Sequence, residues 1–163
     1  MALGNYVNRD ILGIAELEAA AWEQYNAVVG ENYTSDTAVF EALETDVIPI
    51  YERFFDLLQQ IEPEDPEISQ LHALYIRGAN NVLNGFRIKM RGIEDRNEEM
   101  IIAGNQQISD GAEQTYQWRE QLFGMYESRK MRAMTKKEKT TLDKIYQFFL
   151  TWDVATVGEP VTQ

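Results

Sequence analysis

The residues of this 163-residue chain whose types and spacing could do chemistry are one histidine, His72, and a run of arginines and asparagines just after it. Between Ile68 and Ile93 the chain carries four basic residues (Arg77, Arg87, Lys89, Arg91) and no carboxylate. Arg77, Asn80, Asn84, Arg87 and Arg91 recur three and four residues apart, which places them on one stripe of a helix. Guanidinium groups beside amides can hold a carboxylate or phosphate through paired N–H donors. The stripe is therefore a candidate site for a small anion or a peptide. Its plainer reading is a set of structural ion pairs with glutamates of neighbouring helices. His72, taken by itself, reads as a partly buried, hydrogen-bonded histidine near the seam.

The string His72-Ala73-Leu74-Tyr75-Ile76-Arg77-Gly78-Ala79 resembles histidine phosphotransfer domains, acidic helical bundles that bear one reactive histidine. That resemblance implies a signalling role through His72. In the family the histidine is followed by a leucine, then by a lysine and a glycine within the next turn. Here Arg77 and Gly78 stand five and six positions on. A two-residue shift rotates a helix by about 200°, which turns Arg77 away from His72.

Other chemistries lack their residues. The absence of cysteine excludes disulfides, thiolate metal sites and cysteine catalysis. A di-metal bundle needs a Glu-x-x-His pair on each of two helices; the one histidine is preceded at that spacing by Ser69. The carboxylate groups Glu16, Glu18 and Glu23, and Glu94, Asp95, Glu98 and Glu99, lack the calcium-loop pattern and read as solvated helix faces. No metal or cofactor is expected, and no phosphate loop, nucleophile elbow or Ser/His/Asp set points to an enzyme. A net charge of -12 opposes binding to nucleic acid or an anionic membrane by the surface as a whole. No apolar run reaches the 18 or so residues of a membrane span, and the first 14 residues do not form a signal peptide. The expected setting is the bacterial cytoplasm, or an extracytoplasmic domain freed of its targeting segment.

The elements that must position these residues read as helices throughout. The first begins near Asn8 or Asp10 and runs to about Val29, where Gly30 stops it. The second carries a seam of Phe40, Leu43, Val47, Ile50, Phe54, Leu57 and Ile61, with a kink or break expected between Asp46 and Ile50 because Pro49 lacks a backbone donor. Asp65 and Pro66 open the third as cap and first residue. Ile68, Leu71, Tyr75, Val82 and Phe86 form its seam. Glycines recur at heptad spacing along it (Gly78, Gly85, Gly92) and again, out of phase, at Gly104 and Gly111. Each costs a helix about 1 kcal/mol relative to alanine, so a regular series implies a face that needs side chains absent, most simply for close packing. The break in phase predicts a turn between Gly92 and Asn97. A fourth helix then runs to about Lys130 with a seam of Ile101, Gly104, Ile108, Gly111, Thr115, Trp118, Leu122 and Met125.

Seven of the fifteen basic residues fall between positions 129 and 144, ahead of a last aromatic helix expected over 136–154. Tyr146, Phe149 and Trp152 make that helix a candidate interface with another protein or a second copy. The order Trp22 to Tyr25, a polar loop, Val47-Ile48-Pro49, an acidic proline turn, His72 to Tyr75 and Trp118 resembles small helical domains of unknown function in bacterial envelope proteins. The expectation is a single all-α domain over 1–157 with a tail at 158–163. Its architecture is an antiparallel four-helix bundle with an additional C-terminal aromatic helix. Its role is non-enzymatic interaction or structure, with phosphotransfer through His72 as the alternative.

Overall fold

A computed structural model describes residues 2–129 together with 136 and 140. The described chain is all α. Residues 2–26 form α1 (Ala2–Asn5), a π-helical stretch (Tyr6–Ile11) and α2 (Leu12–Asn26) in unbroken succession. The helix thus begins before Asn8 and Asp10, the expected caps, and both lie inside the π stretch. Burial decides the start: Leu3, Tyr6, Val7, Ile11 and Ile14 extend the apolar face upstream at helical spacing and all enter the core. The helix ends at Asn26, three residues before the expected Val29. Gly30 then takes a φ of 59°, a left-handed conformation that suits glycine, and opens a short 3-10 turn, Gly30–Asn32.

Ser35 caps α3 (Asp36–Ala42) by accepting the Ala38 N–H at 3.1 Å. A second π stretch, Leu43–Val47, leads into α4 (Ile48–Gln59). The break expected at Pro49 takes this form. A wider turn before the proline accommodates its ring and the carbonyl it leaves without a donor. The buried face of this helix differs from the expected seam. Val39, Leu43, Val47, Tyr51, Phe54 and Leu58 are buried, whereas Phe40, Ile50, Leu57 and Ile61 are only half-buried. The face is rotated by about one residue, toward Tyr51, because the aromatic rings facing it make the larger contact.

Asp65 and Pro66 open α5 (Pro66–Glu94) as expected, with Asp65 accepting from the Glu67 and Ile68 amides at 2.9 and 3.1 Å. The turn to α6 (Glu98–Arg129) falls at residues 95–97. Arg96 has a φ of 52°, and the Asn97 side chain accepts the Met100 N–H. The glycines then explain themselves. α5 and α6 lie antiparallel with Gly78 against Gly111, Gly85 against Gly104 and Ile108, and Gly92 against Ile101. A Cβ on Gly111 would stand 2.5 Å from the Gly78 carbonyl oxygen, and one on Gly104 2.7 Å from the Lys89 nitrogen. Backbone therefore meets backbone along the α5–α6 hairpin. Of the expected α6 seam, every residue from Gly104 to Met125 is buried, and Ile101 half-buried.

All four helical stretches contribute to one core. Tyr6, Leu58 and His72 meet at one end, Trp22, Tyr51 and Phe86 meet further along, and Tyr25 meets Lys89 beyond them. These meetings alternate the direction of successive helices. The expected C-terminal helix over 136–154, with Tyr146, Phe149 and Trp152, and the tail at 158–163 lie outside the described residues save for Lys136 and Thr140.

Candidate functional site

The polar groups capable of chemistry are concentrated in the core. His72, 2% exposed, has both ring nitrogens engaged. Its Nε2 lies 2.9 Å from the Leu58 carbonyl oxygen and its Nδ1 2.9 Å from the Tyr6 hydroxyl. The carbonyl can only accept, so Nε2 carries the proton and Nδ1 accepts from Tyr6. The same hydroxyl accepts from Trp118 Nε1 at 3.1 Å. Burial pushes the His72 pKa down, which favours this neutral tautomer. A phosphoryl acceptor needs a free ring nitrogen open to its donor; His72 offers neither. We expect Tyr6→Phe to remove the shared hydroxyl, take away the donor to the buried Nδ1 and the acceptor of this indole N–H bond, and cost about 1–3 kcal/mol in urea denaturation. An unchanged midpoint would show that the hydroxyl is not the link.

Further into the core, Glu18 is fully buried and corrects the expectation of a solvated face. The Tyr75 hydroxyl donates to its Oε1 at 2.5 Å, while Oε2 and the buried Tyr51 hydroxyl have no hydrogen-bond partner among the described residues. Burial raises the Glu18 pKa to about 8, against the opposing effect of the Tyr75 hydrogen bond, so the carboxyl is held protonated at neutral pH. Tyr75 stacks on Trp118 with centroids 4.0 Å apart, and Phe54, Tyr51, Trp22, Phe86 and Tyr25 continue the ring contacts. Lys89 closes the series. Its Nζ donates to the Tyr25 hydroxyl at 2.8 Å and lies 5.0 Å from that ring's centroid. Burial lowers its pKa to about 7.

Sequence spacing held the signal for both buried charges. Glu18 sits between Ile14 and Trp22 on the apolar face, and Lys89 stands three residues from both Phe86 and Gly92.

The arginine stripe faces outward. Arg77, Asn80, Arg87 and Arg91 are exposed and Asn84 half-buried. Arg87 pairs with Glu52 of α4 at 2.8 Å, and Arg91 with Asp95 at 3.8 Å, so part of the stripe is satisfied by carboxylates. Lys89, the fourth cation of this segment, points inward instead. Arg77 has a different setting, one wall of an open groove of about 540 Å³ between α5 and α6. Leu71, Leu74 and Met125 give the groove its apolar surface, Gln117, Gln121 and Gly124 line its α6 side, and Glu67 stands at the end opposite Arg77.

Among the described residues no cluster of three His, Asp or Glu could hold a metal ion, and no helix is long and apolar enough to cross a membrane. No family model, curated protein or solved structure matches the chain.

Proposed function

We propose that the protein is a non-enzymatic helical interaction or structural protein that meets an anionic peptide or small anion on the α5 surface. One observation carries this reading. Glu18, His72 and Lys89, the interior groups suited to acid–base or transfer chemistry, are at most 2% exposed and are bonded to residues of the fold. General acid–base catalysis requires a group within hydrogen-bond reach of its substrate. None of the three lines the groove between α5 and α6, the one beside Tyr6 and Glu64, or the one beside Asp36 and Ile101. The likeness to helical domains of bacterial envelope proteins fits this reading and supplies no residue to it.

Incubation with a labelled acyl phosphate tests it, and the expected result is no label on wild type. Labelling that His72→Gln abolishes would restore phosphotransfer. For the anion, millimolar phosphate or carboxylate is expected to raise the thermal midpoint of wild type but not of Arg77→Ala, since a ligand that binds only the folded state stabilises it. Equal midpoints throughout would remove the anion from the reading.

A further inference from the structure

The groove between α5 and α6 carries a charge pattern that matches itself. Glu67, Gln70, Leu71, Leu74 and Arg77 follow one another on one stripe of α5, with Glu67, which accepts from Arg129 of α6 at 3.1 Å and stays about two-thirds exposed, at one end and Arg77 at the other. The midpoint between the two charges falls beside Leu71 and Leu74. The ten residue steps from Glu67 to Arg77 span about 15 Å of helix. A two-fold axis through that midpoint lays a second α5 antiparallel to the first. It sets each Glu67 against the partner's Arg77 and brings the leucines together at the centre.

Two further observations favour an occupant here. Arg77 makes no hydrogen bond or ion pair among the described residues, unlike Arg87 and Arg91 on the same stripe. Gly124, inside α6, has nothing within 4 Å of where its Cβ would stand. The other interior glycines of α5 and α6 are each filled by the facing helix, whereas this one leaves a notch in the groove wall.

We propose that this groove is a self-association surface. A second copy of the chain seats its α5 ridge between α5 and α6, in an isologous contact with two Glu67–Arg77 pairs at its ends, beside the Gly124 notches, and the leucines of both copies at its centre. The proposal rests on the interaction reading above and names its partner. The pattern is specific to a second copy because the acid and the base must exchange places across the contact.

Sedimentation equilibrium of the full chain tests it, with circular dichroism to confirm that each variant is folded. At roughly 100 µM wild type is expected to approach twice the monomer mass. Arg77→Glu should weaken association at least about tenfold by placing like charges opposite each other. Adding Glu67→Lys to Arg77→Glu should restore the pairing with exchanged signs and recover the dimer. Gly124→Trp, at an exposed position, should also yield a monomer by filling the notch. A wild type that stays monomeric overturns the proposal, leaving the interaction reading to the phosphodonor and ligand experiments. A dimer indifferent to both Arg77→Glu and Gly124→Trp overturns it as well, placing self-association elsewhere, such as on the segment 136–154. A monomeric double variant with a dimeric wild type also overturns the charge-paired arrangement.

Discussion

Gly111→Ala is expected to destabilise the protein by about 2–3 kcal/mol, although alanine is the better helix former by about 1 kcal/mol. The new Cβ would stand 2.5 Å from the Gly78 carbonyl oxygen and 2.7 Å from both the nitrogen and Cγ2 of Val82. Two of these atoms are backbone, so no side-chain rotation relieves the contact and α5 must move away from α6. That movement reaches the stacked Tyr75, about one turn from Gly78, and Trp118, about two turns from Gly111, and with them the hydrogen bond from Trp118 to Tyr6. Gly13→Ala is the matched comparison. Gly13 is exposed near the start of α2 with nothing within 4 Å of its Cβ position, so the substitution should add about 0.5–1 kcal/mol. Urea denaturation of the two variants should show midpoints displaced in opposite directions. A Gly111→Ala protein as stable as wild type would mean that the two backbones are not in contact at this level.

The glycine pairing explains why much of the fold was legible in the sequence and where legibility ended. Spacing is a property of one helix, and it located the α5–α6 turn, the close face and nearly the whole α6 seam before any partner was known. The cap at Asp65 is equally local, because its side chain bonds amides two and three residues away. What failed depended on neighbours. Asn8 and Asp10 are good helix starters by type, but Leu3, Tyr6 and Val7 find the core on other helices and draw the start upstream. The phase of α4 turns on which rings face Tyr51, and the stripe's satisfaction depends on Glu52 arriving from a different helix.

The buried charges follow the same rule. A carboxylate or ammonium is expected outside because its desolvation costs several kcal/mol, and it goes inside only when the group can shed its charge against a partner. Tyr75 supplies that partner for Glu18, 57 residues away, and Tyr25 supplies it for Lys89, 64 residues away. No local pattern encodes such pairings. A helix position that belongs to the apolar face by spacing and to the surface by type is the one signal a sequence provides.

Stability is expected to fall as pH rises from about 4.5 to about 8, in a component that Glu18→Gln abolishes. The carboxyl's pKa is raised from 4.5 to about 8 by burial, so over this window the unfolded chain has released its proton while the folded chain still holds it. The folded state then binds more protons than the unfolded one, and its stability decreases with pH by roughly 1 kcal/mol per unit. Two other core groups work in the opposite sense. His72 has a lowered pKa, so its contribution is lost as pH falls below the ordinary histidine range. Lys89, lowered from 10.5 to about 7, loses its contribution as pH falls through that interval. Total stability therefore mixes signs, and the difference between wild type and Glu18→Gln isolates the one group. The amide keeps an oxygen to accept from Tyr75 and cannot ionise. Chemical denaturation in steps from about pH 5 to about pH 8 should leave the two proteins close at the acid end, with the variant ahead by a few kcal/mol at the alkaline end. Parallel curves across the window would place Glu18 in water. They would also reopen the core to the chemistry that its burial withholds.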